Sequence, residues 1–193
     1  MLSFRDCEIG VEGARALANL LRRDGLPALK DLFLIGNAEM GDEGKALASG
    51  LAEAPRTMLR WLYLNCTGMG DVGMAALASV IHQGRMQEIM WIDLGKPGVT
   101  DKGLIALAQA IDARGLPKLR RLKIEPFFKD YTAVGFGAIT LAFVKGCPQL
   151  EDFPLMCPDR AQNRSFLNFL NTMVQGMLRA AGRVIVVADS SKF

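Results

Sequence analysis

The chain has 193 residues, of which 50% are hydrophobic, and its 23 basic and 20 acidic residues give a formal net charge of +3. Such a balanced charge predicts that neither nucleic acid nor a membrane is the partner. The four cysteines form no CxxC pair and the chain has a single histidine, so we expect no metal site, no cofactor and reduced thiols. The N-terminus is charged where a signal peptide would be apolar, and no apolar run approaches the length of a membrane helix. We therefore expect a soluble, intracellular protein of the cytoplasm.

A six-residue pattern recurs along the chain from its beginning. It starts at residues 29, 59, 89, 119 and 150, so the spacing is 30 residues three times and then 31, with apolar residues at the first, fourth and sixth positions. Stepping back one period of 30 residues from Leu32 and Leu34 reaches Leu2 and Phe4, which places the start of the chain in the same array. Self-similarity at such a period is typical of a solenoid, whose units bury their apolar faces against one another.

Each unit is predicted to contain a strand, a polar turn and a helix. The fourth and sixth positions alternate with surface positions, which is strand periodicity. A turn such as Gly70-Asp71 or Thr100-Asp101 comes next, followed by a glycine and an Ala-Leu-Ala segment whose apolar residues continue at helical spacing. The aspartate lies where a helix N-cap or a first-turn acid would stabilise the helix. Glycine and proline shortly afterwards, as at 115–117, predict the helix ends.

A strand, a turn and a helix with the pattern LxxLxLxx and then an Asn or Cys position resemble a leucine-rich repeat of the ribonuclease-inhibitor type over residues 1–156. The resemblance implies an α/β leucine-rich repeat solenoid of five to six repeats, with a curved parallel β-sheet on the concave side and α-helices on the convex side. In that family the side chain at the ninth position bonds to the backbone of neighbouring turns. Cys7 and Asn37 match this position and Thr67 is a polar substitute, whereas Pro97 and Phe127 depart from it. We therefore expect an incomplete ladder toward the C-terminal half.

The pattern weakens in the last units, which start near 119 and 150. Residues 125–131 replace the usual turn, and a helix is expected near 133–145. Residues 157–193 are interpreted as a degenerate C-terminal repeat or cap, with a helix over 163–180 and a strand over 183–188. This strand is apolar on both faces, which predicts that its edge is covered by further protein or offers a surface for self-association. We therefore expect the chain to be a piece of a longer solenoid.

Strand alternation assigns the third, fifth and seventh positions of each unit to the concave face. Both tryptophans of the chain fall at the third position of adjacent strands, with other aromatic and basic residues beside them. Large aromatic side chains on a solvated sheet face are enriched among interface anchors. We predict that a protein partner binds along a concave strip of eight residues, namely Phe33, Trp61, Tyr63, Trp91, Asp93, Arg120, Arg121 and Lys123.

A structural interpretation of the concave strip stays open beside the binding one. In it, the rings only stack on one another to stabilise the sheet, and the basic residues form an ordinary solvated face. Replacing both tryptophans separates the two interpretations, because only the structural one requires the fold to be lost.

Two other functions compete with a binding module. The repeat type also resembles GTPase-activating solenoids that act on the nuclear-transport GTPase and present Arg and Asn on turns at one edge of the sheet. Asn37, Asn65 and Lys96 lie on such turns, but no turn arginine matches beyond Arg5. The chain is also similar to the scaffold or sensor segment of nucleotide-binding leucine-rich-repeat receptors. It contains no phosphate-loop motif, and His82 has no acidic or nucleophilic neighbour in sequence, so we expect no enzymatic activity.

Overall fold

The computed structural model describes residues 1–23, 26–54, 58–95, 98–114, 116–124 and 132–151, together with the single positions 172, 176 and 179. Within those ranges, strands and α-helices alternate strictly. The strands are β1 (Leu2–Ser3), β2 (Asp31–Phe33), β3 (Trp61–Tyr63), β4 (Trp91–Gly95) and β5 (Arg121–Ile124). The helices are α1 (Val11–Arg22), α2 (Gly44–Glu53), α3 (Asp71–His82), α4 (Asp101–Arg114) and α5 (Ala133–Gly146). A 3₁₀-helical segment, Ala38–Glu43, interrupted by a non-helical Gly41 with φ of 48°, directly precedes α2.

The strands form one parallel sheet in chain order, from β1 to β5. In its register, each residue pairs with the residue one repeat further along the chain. Leu32 pairs with Leu62, Leu62 with Ile92 and Ile92 with Leu122. Each unit therefore adds one strand to the sheet and one helix to a second layer, in which every helix packs against the helix of the next unit. The α/β solenoid predicted from the repeat is confirmed.

The hydrophobic core lies between the sheet and the helix layer. At the fourth position of the repeat, the side chains of Leu32, Leu62, Ile92 and Leu122 are at most 1% exposed. The central leucines of the Ala-Leu-Ala segments are buried on the helix side, and they are Leu17, Leu47, Leu77 and Leu107. Each such leucine stabilises the fold by about 2 kcal/mol through burial, so the repeated pattern supplies a continuous core.

Small residues let the helices of this layer approach one another. A Cβ atom placed on Gly50 of α2 would lie 2.7 Å from the Cα atom of Ala18 in α1. A side chain at position 50 would therefore push the two helices apart.

The predicted polar ladder begins at Asn37, whose side chain is fully buried. Its Nδ2 atom donates to the carbonyl oxygens of Phe4 (2.7 Å) and Leu34 (2.8 Å). Its Oδ1 atom accepts from the backbone N–H groups of Cys7 (3.2 Å) and Ile9 (2.9 Å). One amide group thus ties the turn of its own unit to the turn of the preceding unit.

Thr67 occupies the same position one unit later and bonds within its own unit. Its hydroxyl donates to the carbonyl oxygen of Leu64 at 2.8 Å, three residues back, as Asn37 does to Leu34. The ladder is therefore less extensive at Thr67 than at Asn37. The predicted departures at Pro97 and Phe127 lie outside the described residues.

The turn aspartates occupy their expected positions, and Asp71 is a first-turn acid, one of the two roles predicted for it. Asp71 is the first residue of α3, while the N-cap is Gly70 and provides no side-chain hydrogen bond. The carboxylate of Asp71 instead accepts from the start of the next helix. It accepts from the backbone N–H (2.8 Å) and the hydroxyl (2.6 Å) of Thr100, and from the N–H of Gly103 (3.0 Å). The sequence did not predict this bond, because it joins residues of two different units.

Asp101 repeats the arrangement one unit further on. It accepts from the N–H (2.8 Å) and the hydroxyl (2.6 Å) of Thr132 and from the N–H of Gly135 (3.1 Å). These contacts explain why glycine occupies positions 103 and 135. A Cβ atom on Gly103 or Gly135 would lie 2.6 Å or 2.4 Å from the carboxylate oxygen of the aspartate in the preceding unit.

The structure describes only some of the elements that the sequence predicts for the C-terminal part. The helix expected near 133–145 is present as α5, Ala133–Gly146. The predicted turn over 125–131 and the strand over 183–188 lie outside the described residues, as does most of the helix over 163–180, in which positions 172, 176 and 179 are helical and exposed. Of the helices that are described, none combines the length and the apolar character required to cross a membrane.

Candidate partner-binding surface

Pairing in register brings the third and fifth positions of the repeat into two columns that cross the sheet. The first column contains Asp31, Trp61, Trp91 and Arg121. The second column contains Phe33, Tyr63, Asp93 and Lys123. Seven of the eight residues of the concave strip, all except Arg120, therefore lie in these two columns on one face of the sheet.

Four of these side chains form an aromatic cluster, defined as Phe33, Trp61, Tyr63 and Trp91. The rings of Phe33 and Tyr63 stack with centroids 4.6 Å apart and planes 15° apart. The two tryptophan rings are 5.5 Å apart, and the ring of Trp91 lies 5.7 Å from that of Tyr63. Trp61 is 39% exposed and the other three are half-buried. The cluster is thus a continuous aromatic surface that remains open to solvent.

An arginine lies over the ring at each end of the aromatic cluster. The Cζ atom of Arg5, which follows β1, lies 5.5 Å from the ring centroid of Phe33. The Cζ atom of Arg121 in β5 lies 4.9 Å from the ring centroid of Trp91. Sequence reasoning included Arg121 but left Arg5 out of the concave strip. The same period identifies Arg5, because it lies 30 residues before Ile35 and so occupies the seventh position of the first unit.

Asp93 lies in the predicted column, but it is only 6% exposed and is not displayed as expected. The pairing of β4 with β5 shifts register between Asp93 and Gly95. At this irregularity the Oδ1 atom of Asp93 accepts a hydrogen bond from the N–H of Gly95 at 2.9 Å. Its Oδ2 atom lies 3.9 Å from the Nζ atom of Lys123. Asp93 therefore shapes the end of β4 and holds Lys123 in the strip.

Arg120 is set apart from the aromatic cluster. It precedes β5, and its Nη1 atom pairs with the Oε1 atom of Glu151 at 3.5 Å. Its backbone joins the sheet, since its N–H donates to the carbonyl oxygen of Met90 at 2.9 Å. Both arginines of the 120–121 pair are exposed, but only Arg121 stacks on the ring of Trp91.

Tyr63 is the side chain of the aromatic cluster whose pKa is shifted by the charged residues around it. Burial raises the pKa of its hydroxyl above the ordinary value, and the negative charge of Asp93 acts in the same direction. The positive charges of Arg5 and Arg121 oppose that rise in pKa. The phenol is consequently neutral at physiological pH, with charges of both signs around it.

The residues weighed for GTPase activation are less suited to contact a partner. Asn37 is fully buried and its amide is used by the backbone of two turns. Asn65 is half-buried, with its Oδ1 atom enclosed, and Lys96 lies outside the described residues. Within the described ranges, no three His, Cys, Asp or Glu side chains converge in a metal-binding arrangement.

The repeating strand and helix, the in-register parallel sheet and the buried Asn37 define a leucine-rich repeat solenoid. A family model described as Leucine Rich repeat matches residues 2–18 and 57–78 of the chain. The first match covers β1 and most of α1, and the second covers β3 and most of α3. No curated protein matches the chain in sequence. The match and the fold together support a leucine-rich repeat protein, and such repeats generally mediate protein–protein interaction.

Proposed function

We propose that this chain is a non-enzymatic protein-interaction module that binds a protein partner across the concave strip. The observation that carries the proposal is the aromatic cluster, in which four rings contact one another on an open sheet face and Trp61 is 39% exposed. Apolar surface of this size left in water costs solubility, and tryptophan and tyrosine are the side chains most enriched at the centre of interfaces. Arg121 and Lys123 supply the charged rim beside it.

The competing interpretation is that the rings serve only the stability of the sheet. Stacked pairs of this kind contribute about 0.5–1.5 kcal/mol beyond the area they bury. Among the described residues, however, the buried Nε1–H group of Trp91 has no hydrogen-bond acceptor. A buried donor without a partner costs about 1–3 kcal/mol, which offsets much of what stacking would contribute. A binding role explains why such a side chain is placed there.

The test is the double substitution Trp61→Ala with Trp91→Ala. We expect the doubly substituted chain to keep its far-ultraviolet circular dichroism, because the core at the fourth and sixth positions is untouched. Cross-linking pull-downs analysed by mass spectrometry should show partners captured by the wild-type chain and lost with the double variant. The matched control is Leu20→Ala with Val72→Ala, which removes apolar groups that are 42% and 49% exposed on the helix side. Loss of the circular dichroism signal in the double variant would favour the structural interpretation.

We further propose that the repeats are of the ribonuclease-inhibitor type. The support is the 30-residue period together with helices of 10 to 14 residues in the units that the structure describes. The inter-unit hydrogen bonds of Asn37 agree with the ladder expected for that type. A crystal structure with extended segments instead of helices on the convex side would contradict it.

We also propose that residues 157–193 form a degenerate C-terminal repeat or cap of the array. The support is the register of Glu151, whose N–H donates to the carbonyl oxygen of Arg120 at 2.9 Å and so continues the sheet pattern beyond β5. Deleting residues 157–193 should lower the free energy of urea unfolding by several kcal/mol if they cover α5 and β5. An unchanged free energy of unfolding would contradict the assignment.

A further inference from the structure

The two arginines that end the aromatic cluster give it a charge pattern along its length. Arg5 lies on Phe33 at the β1 side and Arg121 lies on Trp91 at the β5 side, at 5.5 Å and 4.9 Å from the ring centroids. Between them the surface consists of the stacked rings of Phe33, Tyr63 and Trp91. The arrangement is therefore an apolar surface with a guanidinium group at each end.

We propose that the aromatic cluster binds an extended acidic segment of a partner protein, with one carboxylate at Arg5, another at Arg121, and an apolar side chain on the rings between them. The inference rests on the proposed function and specifies its partner chemistry. Each guanidinium lies over an aromatic ring. Its planar fork of N–H groups matches the two oxygens of a carboxylate.

The dimensions of the sheet set the spacing of the two carboxylates. Neighbouring strands are about 4.8 Å apart, so the two intervals from Phe33 in β2 to Trp91 in β4 span about 10 Å and the four intervals from β1 to β5 span about 19 Å. The two guanidinium groups lie over these rings, so their separation falls between the two distances. An extended peptide advances about 3.3 Å per residue, so a segment crossing the strands covers this separation in about three to six residues. The segment should therefore carry acidic residues about three to six positions apart, with aliphatic or aromatic residues between them.

A nucleic acid fits the same surface less well, although aromatic rings and arginines also serve single strands. A nucleic acid backbone carries one negative charge per nucleotide and would bring phosphates past Asp31, which begins the column of the two tryptophans. A peptide can instead place its two charges at the arginines and keep uncharged residues near Asp31.

The first experiment selects peptides from a random twelve-residue library displayed on phage against the complete chain. The expected result is enrichment of sequences with two Asp or Glu residues about three to six positions apart around a central apolar residue. Enrichment of uncharged or basic peptides would overturn the inference, and so would the absence of any selected peptide.

The second experiment measures the affinity of the most enriched peptide by tryptophan fluorescence. The chain contains only two tryptophans, and both lie in the aromatic cluster, so the signal reports on this surface directly. Changing either acidic residue of the peptide to its amide should weaken binding about tenfold, as should Arg5→Gln or Arg121→Gln in the protein. The matched control is Arg15→Gln, an equal change of charge on α1 at the helix side, which should leave the affinity unchanged.

The outcomes separate this inference from the proposed function. Binding to the Trp61→Ala, Trp91→Ala variant, which has no tryptophan to report it, is measured by isothermal titration calorimetry. If the amide form of the peptide binds as tightly as the acidic form, and binding is still lost in the double variant, the interaction surface stands and the acidic partner is wrong. If the double tryptophan variant binds like wild type, both proposals fail. A uridine homopolymer that outcompetes the acidic peptide would replace the peptide by a nucleic acid and overturn the inference.

Discussion

The first joint between units and the last two described joints use different side chains at different turns. Between the first two units, the buried amide of Asn37 holds backbone groups of both units at the turn that follows the strand. At the joints between α3 and α4 and between α4 and α5, the carboxylates of Asp71 and Asp101, at the start of one helix, hold the start of the next helix near the protein surface. Both devices satisfy backbone N–H groups that a turn leaves unpaired, but the amide does so away from water and the carboxylates do so beside it.

The comparison teaches that the hydrogen bonds between units can be made at one turn in some units and at a different turn in others, while the 30-residue period stays the same. The ladder position becomes threonine at Thr67 and proline at Pro97. In the same part of the chain, the aspartate at the start of one helix bonds to the N-terminus of the helix that follows, as with Asp71 and Thr100. A solenoid needs nearest-neighbour contacts in every unit, and it does not need the same contact in each.

Among substitutions at the joints between units, the largest effect on stability is expected from Asn37→Ala. The change leaves the N–H groups of Cys7 and Ile9 and the carbonyl oxygens of Phe4 and Leu34 without the amide partner that they share. Loss of several partly enclosed hydrogen bonds should lower the free energy of unfolding by about 3 kcal/mol. Urea denaturation followed by circular dichroism measures it.

Asn19→Ala is the matched control for that experiment. Asn19 lies exposed on α1 and accepts a hydrogen bond from the Nη1 atom of Arg22 at 2.9 Å. Its replacement by alanine should change the free energy of unfolding by about 0.5 kcal/mol or less, because alanine favours the helix. Equal effects of the two substitutions would mean that the amide of Asn37 does not hold the first joint together.

A smaller effect is expected from Asp101→Ala at a carboxylate joint. The substitution removes the acceptor for the N–H groups of Thr132 and Gly135, and it should cost about 1–2 kcal/mol, as for the loss of a helix cap. Amide hydrogen exchange supplies an internal control. Exchange at Thr132 and Gly135 should accelerate, while Thr100 and Gly103 stay protected by Asp71. Acceleration at all four amides would show that the joint is not local.

Most of the fold follows from the 30-residue period alone, for a physical reason. A repeated apolar pattern buries itself only when strands pair one unit apart, and this rule predicts the pairing of Trp61 with Trp91 and of Leu62 with Ile92. The same rule places the aromatic cluster on one face. It also assigns Arg5 to that face when it is applied to the first unit, which the sequence interpretation did not do.

The remaining features depend on local geometry that a pattern does not encode. Asp93 becomes buried because β4 shifts register at Gly95, where φ is +52°. The carboxylate of Asp71 reaches the next unit because Gly103 has no side chain in its way. The burial of Asp93 and the hydrogen bonds of Asp71 both depend on distances between units. The repeat pattern therefore predicts which residue types occur at these positions, but not which groups they contact.

The carboxylate joints should also respond to pH. Hydrogen bonds from the hydroxyl and N–H of Thr132 lower the pKa of Asp101. Burial opposes the shift at Asp71, but the hydrogen bonds from Thr100 and Gly103 and the charge of Lys102 together outweigh it, so its pKa is lowered too. Both groups have folded-state pKa values below the ordinary 3.8, so their contribution is present above that pH and is lost as the pH falls through the folded pKa.

Urea unfolding of the wild-type chain between about pH 6 and about pH 3 measures this loss. The variant with Asp71→Asn and Asp101→Asn should lose less stability over that range, because its amides do not titrate. The difference should be smaller than the effect of Asp101→Ala, since a protonated carboxyl group still accepts one hydrogen bond. Identical pH profiles for the two proteins would show that these carboxylates do not couple stability to pH.

The smallest effect is expected from Thr67→Val, which tests the weak member of the ladder. Valine has nearly the same shape as threonine and removes one hydrogen bond, from the hydroxyl to the carbonyl oxygen of Leu64. The free energy of unfolding should fall by about 1 kcal/mol.

Thr140→Val is the matched control, because the buried hydroxyl of Thr140 donates to the carbonyl oxygen of Phe136 within α5. That carbonyl also accepts the helical N–H four residues on, so its loss should cost less. A cost for Thr67→Val close to that of Asn37→Ala would mean that the ladder is as strong at the second joint as at the first.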